Sequence, residues 1–337
     1  MKRVPKFAVL TLSAMLALSG CGMTSDPLPG TIGEDGQPAA VSTQDYAPAE
    51  VIKPKDGKKV KIGASFPLLD QFLQNVSNSI KARAEAAGAE VNVTSADEKI
   101  EVQLNQIENF IASDVDALIV LPQDTATTAQ ITQKAKAANI PLVYVNRRPA
   151  DLPKGVPYVG SDSLVAGQLE MEQLAKLSNH QGNVAILQGD PTQEAAQQRT
   201  KGCEEIAAKY NMNVVFDQTG LWMRDKGLAL AENLIQSGQQ VDVICANNDE
   251  MALGAINAFE NAGMLDKVVV GGVDATGDAL NAMAAGKLEV TVFQDAKGQG
   301  QAGVDTAIKM VNGDEVPDII NVPYQLVTPE NMSQFQQ

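Results

Sequence analysis

The sequence predicts an α/β fold made of two doubly wound, Rossmann-like lobes, each with a parallel β-sheet. Strand-like and helix-like segments alternate from residue 59 onwards, and the strand-like segments are short apolar runs such as ALIVL at 117–121. Such runs are typical of parallel strands that are covered by helices on both faces. About ten such strands would strain a single sheet, so the pattern favours two sheets over one.

The alternation falls into two consecutive series. The first predicts strands at 59–66, 91–94, 117–121 and 141–146, with helices at 70–87, 100–112 and 125–138. The second predicts strands at 183–188, 213–216, 241–246, 268–273 and 290–294, with helices between them. Strands that alternate with helices indicate βαβ units, so each series is expected to build one lobe.

The N-terminus is typical of an export signal. A positively charged start precedes an apolar run at 7–18, and the sequence LSGC at 18–21 resembles a bacterial lipobox. The pattern predicts a lipoprotein signal peptide at 1–20 and a lipid on Cys21 that anchors the chain to a membrane outside the cytoplasm. An ordinary cleaved signal, with Cys21 incidental, is the alternative. Residues 21–58 are rich in Pro, Gly, Ser, Thr and Asp and are expected to form a flexible tether.

The net charge of −15 disfavours two classes of partner. A strongly acidic surface repels nucleic acid and anionic lipid, so we expect no nucleic-acid partner. The only histidine is His180, which argues against histidine-based catalysis and histidine-rich metal sites. Cys203 lies in a helical pattern and Cys245 in an apolar strand. We expect two buried free thiols, with a disulfide between them as the alternative.

Polar and aromatic side chains follow the predicted strands. Ligands of open parallel sheets bind beyond the carboxyl ends of the strands, so these residues define a candidate site. Among these residues are Asp70, Phe72, Asn146, Arg147, Arg199, Trp222, Asn248, Asp274 and Gln294. Carboxylate, amide and guanidinium groups can hold neighbouring hydroxyl groups in pairs, and an aromatic face can stack on the C–H face of a ring. The mixture favours a polyhydroxylated ring over a phosphate or a metal ion.

Several candidates have a competing structural explanation. Asp70 could be only the N-cap of the helix that follows it, and Asp274 could cap the next helix in the same way. Phe72 begins an apolar helical stripe and could pack in the core. Within the run NNDE, we expect Asn248 to face the ligand and Asp249 to cap the helix.

Seven motifs in a fixed order give the chain a family likeness: LLDQFLQNV, YVNRRP, QGDPTQEAAQQRTKG, TGLWMRDKG, ICANNDEMALGA, GGVDATGDAL and VTVFQDAKGQG. Across residues 59–330 the chain resembles the periplasmic monosaccharide-binding proteins of ABC importers, in the ribose- and galactose-binding group. The resemblance implies two lobes joined by a three-strand hinge, which close on a ligand in the cleft between them. It places the hinge crossings near 158–160, near Gln294 and after Asn321.

These crossings set the expected domains. The N-terminal lobe would comprise 59–158 plus 295–321, and the C-terminal lobe 159–294 plus 322–337. The resemblance selects the nine residues named above as the ones that contact the ligand. It assigns hydroxyl binding to Asp70 and Arg199, and it assigns stacking to Phe72 and Trp222.

Two departures from the pattern of galactose-binding members narrow the choice of ligand. Galactose-binding members have His and Asp ahead of the hydroxyl-binding arginine, where this chain has Gln193 and Ala195. Their calcium loop is also missing, so we predict no metal. TGLWMRDKG and VTVFQDAKGQG look more like proteins that bind inositol and related cyclitols. A myo-inositol-like ligand is therefore slightly favoured, with galactose, glucose and ribose as alternatives.

The resemblance implies a monomeric binding protein that needs no cofactor and is not an enzyme. It would capture a monosaccharide or cyclitol by cleft closure and deliver it to an ABC permease that a separate ATPase drives. A protein that presents the same ligand to a chemoreceptor or sensor kinase is the alternative. Sugar-responsive transcription regulators share the fold, but they carry a helix-turn-helix and a basic surface in place of a lipobox and tether.

Overall fold

The computed structural model describes residues 42–47, 50–125 and 128–336. Its strands are β1 Thr43–Asp45, β2 Lys61–Phe66, β3 Glu90–Ser95, β4 Ala117–Val120, β5 Leu142–Val145, β6 Tyr158–Gly160, β7 Asn183–Gln188, β8 Asn213–Thr219, β9 Val243–Ala246, β10 Val269–Asp274, β11 Val290–Phe293, β12 Ile319–Asn321 and β13 Gln325–Val327. Its α-helices are α1 Gln71–Ala87, α2 Ile100–Ala112, α3 Thr128–Ala137, α4 Ser163–Leu177, α5 Glu194–Lys209, α6 Arg224–Gln236, α7 Asp249–Asn261, α8 Gly277–Ala284 and α9 Ala296–Val311.

The strands form two sheets, one in each lobe. The strand order is β1-β12-β6-β5-β4-β2-β3 in the first sheet and β13-β11-β10-β9-β7-β8 in the second. Neighbouring strands run parallel, except that β13 pairs antiparallel with β11. The α/β class with two doubly wound lobes is therefore confirmed.

Helices cover both faces of the first sheet, which explains its continuous apolar strands. Successive residues of a strand point to opposite faces. Along β4, Ile119 packs in a core with α1 and α9, whereas Leu118 and Val120 pack with α2 and α3. Every residue of β4 is buried. A strand that is covered on both faces has no solvent-facing position, so its sequence is apolar throughout.

The second sheet is covered by α4 and α5 on one face and by α6, α7 and α8 on the other. On the α4–α5 face, Cys203 of α5 and Cys245 of β9 form a disulfide. The expectation of two free thiols is therefore wrong. The two cysteines are 42 positions apart in the sequence, and the packing of helix on sheet brings them together.

The folded body begins before residue 59, the expected boundary. Thr43–Asp45 form β1, an edge strand that pairs with β12. The backbone N–H of Tyr46 then donates to the carbonyl oxygen of Asn321 at 2.7 Å. The expected tether at 21–58 therefore includes a segment that belongs to the folded body. The sequence of that segment has no strand-like periodicity. The predicted signal peptide and Cys21 lie outside the described residues.

The chain passes between the two lobes three times. β6 of the first sheet leads into α4, which packs on the second sheet, and β11 of the second sheet leads into α9, which packs on the first. The third passage joins β12 of the first sheet to β13 of the second. These passages form the three-strand hinge. Of the helices described, none combines the length and the apolar character needed to span a membrane.

Candidate ligand-binding site

The nine candidate residues line one cavity between the lobes. The first lobe contributes Asp70, Phe72, Asn146 and Arg147, and the second lobe and its hinge strand contribute Arg199, Trp222, Asn248, Asp274 and Gln294. The remaining lining residues are Leu73, Tyr158, Ser161, Ser163, Ala195 and Tyr324. Because parallel strands end at the same edge of a sheet, residues that are far apart in the chain converge there.

The two lobes touch each other in this structure. Thr125 Oγ1 donates to the carbonyl oxygen of Thr192 at 2.9 Å. The backbone N–H of Asp278 donates to Gln71 Oε1 at 3.4 Å. The cavity between the lobes holds about 50 Å³, a volume that fits about two water molecules. The arrangement is therefore closed, and a ring-sized molecule enters only when the lobes or the lining side chains move apart.

A wider cleft adjoins this cavity. It has a volume of about 610 Å³ and lies between α1 and α9 of the first lobe and the start of α8 in the second. Phe72, Asp274 and Gln294 line both spaces. We place the candidate site in the smaller cavity because all nine candidates line it, whereas only Phe72, Asp274 and Gln294 also line the wider cleft.

On the first lobe, Asp70 and Phe72 have structural and cavity-lining roles at once. The backbone N–H of Leu73 donates to Asp70 Oδ1 at 2.7 Å, so Asp70 is the N-cap of α1. Burial raises the pKa of the Asp70 carboxyl, since the charged form loses solvation. Phe72 packs in the first-lobe core, and it also borders the cavity. The capping and core roles that the sequence left open therefore coexist with a place at the site.

Asn146 and Arg147 follow β5 and line the cavity from the first lobe. The Asn146 side-chain amide donates to Gln299 Oε1 at 3.1 Å. Arg147 Nη1 lies 3.4 Å from the carbonyl oxygens of Pro122 and Gln123. Burial lowers the pKa of Arg147 to about 10, which is still far above neutral pH. Its guanidinium is therefore charged and can donate to a ligand.

Arg199 organises the second-lobe side of the cavity. Its Nη1 donates to the carbonyl oxygen of Asn247 at 2.6 Å, and its Nη2 donates to Gln294 Oε1 at 2.9 Å and to the Tyr324 hydroxyl at 2.8 Å. Gln294 Nε2 donates in turn to Asp274 Oδ1 at 3.0 Å. Burial raises the pKa of Asp274 well above its usual value, and the Arg199 guanidinium, 4.0 Å away, opposes that rise. These contacts orient the side chains before a ligand binds.

Tyr324 is a cavity residue that the sequence analysis did not identify. Its hydroxyl donates to Gln294 Oε1 at 2.7 Å and accepts from Arg199. Tyr324 lies just after Asn321, in the third passage between the lobes. A tyrosine next to an expected hinge crossing was the available signal, because the crossings border the cleft.

Trp222 is held from two sides where it lines the cavity. Its Nε1 donates to Gln193 Oε1 at 3.1 Å. Its ring lies against Gly189, where an added Cβ would come within 2.2 Å of the indole. The Arg199 guanidinium carbon is 5.6 Å from the ring centroid, a cation–π distance. The indole therefore has little freedom to turn away from the cavity.

The expected roles of Asn248 and Asp249 require a correction. Asn248, not Asp249, caps α7, because the backbone N–H of Met251 donates to Asn248 Oδ1 at 3.1 Å. Asn248 Nδ2 donates to the carbonyl oxygen of Trp222 at 3.1 Å, so the amide lines the cavity while it also supports the indole segment. Helix boundaries that are read from sequence are uncertain by a residue or two, which is enough to move a cap.

Three cavity residues other than glycine have a positive φ. The angle is 63° at Asn146, 69° at Trp222 and 127° at Asp274. Such angles are unfavourable for residues with a Cβ, and they persist only where the surroundings impose them. Asp274 does not cap the next helix, since Thr276 does so. The backbone at these three points of the cavity therefore depends on its surroundings for its conformation.

Sequence comparisons identify relatives that share this architecture. The family model described as a periplasmic binding protein domain matches residues 62–315. A putative rhizopine-binding protein of Rhizobium meliloti is 40% identical over 284 residues, which are 82% of this chain and 92% of the relative. A ribose import binding protein of Bacillus subtilis is 30% identical over 285 residues, 83% of this chain and 92% of the relative.

Solved structures give the same result. An ABC transporter solute binding protein from Bacillus halodurans, with bound myo-inositol, has a TM-score of 0.80 and 42% identity, and the match covers 84% of this chain and 99% of that one. An ABC transporter periplasmic solute binding protein from Actinobacillus succinogenes, with bound D-allose, has a TM-score of 0.78 and 30% identity, over 82% and 100% of the two chains. With two hinged lobes, a polar cavity between them and a family match over most of its length, the chain belongs to the periplasmic binding protein family.

Proposed function

We propose that this chain is the solute-binding component of an ABC importer and that it captures a cyclitol of the myo-inositol type. The observation that carries the proposal is the cavity, where carboxyl, amide and guanidinium groups of both lobes surround one small space together with Phe72 and Trp222. The relative with bound myo-inositol is 42% identical to this chain, compared with 30% for the ribose import relative. That difference supports a cyclitol over ribose.

A neutral polyhydroxylated ring matches the chemistry of the cavity. Each hydroxyl group both donates and accepts hydrogen bonds. Asp70 and Asp274 offer acceptors, Arg147 offers donors, and the amide of Gln294 offers both. An anionic ligand would have to lie beside buried carboxyl groups, whereas a neutral ring does not meet that penalty.

Closure of the cleft couples binding to a change of shape. A ligand that enters the open cleft contacts one lobe first, and closure adds the contacts of the other lobe. Those added contacts stabilise the closed form. The closed protein docks on a permease, and a separate ATPase drives transport. The protein releases its ligand unchanged and is not an enzyme. A chemoreceptor could recognise the same closed form.

We also infer that the protein acts outside the cytoplasm as a lipid-anchored monomer. The disulfide between Cys203 and Cys245 supports export, because such bonds persist in oxidising compartments. The sequence LSGC supports a lipid on Cys21. Changing Cys21→Ser should move the chain from the membrane fraction to the soluble fraction of cells. An unchanged membrane fraction would contradict the anchor.

Calorimetric titration of the purified mature chain tests the ligand. The panel is myo-inositol, ribose, galactose, glucose and xylose, and the variants are Trp222→Ala and Tyr210→Ala. Tyr210 is a partly buried aromatic residue outside the cavity, so its variant is the matched control. We expect one-to-one binding of myo-inositol that Trp222→Ala weakens at least about tenfold, since a buried aromatic contact contributes on the order of 1 kcal/mol or more. Tyr210→Ala should leave the affinity unchanged.

Other outcomes would overturn parts of the proposal. Tight binding of ribose without binding of myo-inositol would replace the cyclitol with a pentose. No binding of any ligand in the panel would reject a simple polyhydroxylated ring as the ligand. Equal loss of affinity in both variants would mean that Trp222 acts on the fold and not on the ligand.

A further inference from the structure

The turn that presents Asp274 to the cavity has an unusual backbone. Asp274 has a φ of 127° and Ala275 a φ of 51°, so two consecutive residues with a Cβ lie in the positive region. Residues in that region revert to ordinary angles unless neighbouring groups hold them. The groups that hold this turn therefore decide where the Asp274 carboxyl lies.

Two buried side chains hold the turn directly. The backbone N–H of Ala275 donates to Thr291 Oγ1 at 3.1 Å. The backbone N–H of Thr276 donates to Asp249 Oδ2 at 2.8 Å, and its hydroxyl donates to the same oxygen at 3.2 Å. The Thr291 hydroxyl donates to Asp249 Oδ1 at 2.7 Å, which joins the two supports into one unit. Asp249 and Thr291 are both 0% exposed.

The support joins β10, β11 and the start of α7, and a cavity residue lies at the end of or next to each of them. Asp249 begins α7, directly after Asn248, and Thr291 lies in β11, which ends just before Gln294. Neither Asp249 nor Thr291 lines the cavity. Burial raises the pKa of Asp249 to about 7, and its hydrogen bonds from the two threonines oppose that rise. The buried carboxyl is therefore costly for the fold and is placed where it receives three donors.

We propose that Asp249 and Thr291 are positioning residues, which fix the strained turn after β10 and thereby aim the Asp274 carboxyl at the ligand. The inference rests on the proposed function, since it takes the cavity as the ligand site. Asp274 Oδ1 in turn accepts a hydrogen bond from Gln294 Nε2. The support therefore also fixes the Gln294 amide, whose Oε1 accepts from Arg199. Loss of the support releases the turn and lowers ligand affinity through Asp274.

Thr291→Val and Thr291→Ser form a matched pair that tests the inference. Valine keeps the shape of threonine but neither accepts from Ala275 nor donates to Asp249, whereas serine keeps the hydroxyl and loses a methyl group. Thermal unfolding of both variants of the whole mature chain checks that they fold. In the ligand-free protein, hydrogen exchange at the Ala275 amide should be at least about tenfold faster in Thr291→Val than in Thr291→Ser.

Titration with myo-inositol separates positioning from a general structural role. Thr291→Val should weaken binding about tenfold, and Thr291→Ser by about threefold or less. In an Asp274→Asn background, Thr291→Val should lower the affinity for myo-inositol by a further factor of about three or less. The reason is that the carboxyl that Thr291 positions is already gone.

Two results would overturn the inference. One is equal exchange at Ala275 in the valine and serine variants. The other is the same tenfold loss from Thr291→Val with and without the Asp274 carboxyl, since additivity means that the two residues act independently. If the wild type does not bind myo-inositol, the proposed ligand fails, and hydrogen exchange alone then decides the positioning role.

Discussion

Glu170 is a carboxyl group in the interior of the second lobe, away from the cavity lining. It is 0% exposed, and its Oε1 accepts the backbone N–H of Ala246 at 2.9 Å. Its Oε2 has no hydrogen-bond partner within the described part of the chain. Burial raises the pKa of Glu170 well above its ordinary value, because few groups replace the lost water. Glu170 is therefore protonated in the folded protein at pH values where an unfolded chain releases the proton.

This raised pKa predicts a specific pH dependence of stability. Above the ordinary pKa of a glutamate the unfolded state binds fewer protons, so the free energy of unfolding falls as the pH rises towards the folded pKa. Glu170→Gln removes the titration and should lose less stability between about pH 5 and pH 7.5 than the wild type, by about 1.4 kcal/mol for each pH unit of that window that lies below the folded pKa. Urea unfolding at both pH values measures the difference.

The control for this experiment is Glu232→Gln, which changes an exposed carboxyl on α6. It should keep the wild-type pH dependence. The same fall in stability with pH in Glu170→Gln and in the wild type would show that Glu170 is ionised in the folded protein.

At the scale of elements, two glycine contacts set how α4 and α5 cross. A Cβ on Gly167 would lie 2.0 Å from the carbonyl oxygen of Arg199, and a Cβ on Gly202 would lie 2.6 Å from that of Leu164. Each helix therefore uses a glycine where the backbone of the other approaches. This close crossing fixes the position of α5 against α4. Arg199 lies in α5 and lines the cavity.

The disulfide fastens the same helix to the sheet. Cys203 lies in α5 and Cys245 in β9, the strand that leads to Asn247 and Asn248. The double variant Cys203→Ala, Cys245→Ala should lose about 2–5 kcal/mol of unfolding free energy, because the unfolded chain is no longer cross-linked. Its myo-inositol affinity should change by about threefold or less, since both cysteines lie in the core behind the site.

Urea unfolding of the wild type with and without a reductant provides the comparison. The reduced wild type should approach the double variant in stability. A double variant as stable as the oxidised wild type would show that the disulfide does not stabilise the fold. A large loss of myo-inositol affinity in the double variant would show that the disulfide also supports ligand binding.

At the scale of the whole molecule, contacts across the cleft hold the lobes together. The bond from Thr125 Oγ1 to the carbonyl oxygen of Thr192 and the bond from Asp278 to Gln71 join the first lobe to the second. Contacts that exist only in the closed form stabilise it relative to the open form. Their loss should therefore speed ligand release more than it slows ligand capture.

Thr125→Val tests this role, because valine keeps the shape of threonine and removes the hydroxyl. We expect myo-inositol to dissociate about two- to fivefold faster, with little change in the association rate, since one neutral hydrogen bond contributes about 1 kcal/mol. Stopped-flow fluorescence can follow both rates, because Trp222 is the only tryptophan and lines the cavity. Thr125→Ser keeps the hydroxyl and should behave as the wild type. An unchanged dissociation rate in the valine variant would show that this contact does not hold the cleft closed.

Much of the site could be predicted because its residues share one property, their place after a parallel strand. Asn146 follows β5 and Asn248 follows β9, and the geometry of parallel sheets brings such positions to one edge. Tyr324 was missed because the sequence analysis predicted no strand at 319–321, where β12 lies, so no predicted strand end preceded it. Which polar neighbour caps α7 was also out of reach, since Asn248 and Asp249 are equally suited to capping by residue type.

By itself the sequence determined the alternation of strands and helices, the two lobes and the gathering of nine candidate residues in one cavity. Apolar periodicity and the succession of strands and helices along the chain are local properties, so they can be read from the sequence directly. Only the tertiary structure decided the disulfide, the edge strand β1, and the support of Asp274 by Asp249 and Thr291. Each of these depends on contacts between segments that are distant in sequence, and no local pattern encodes which distant partner a buried group will meet.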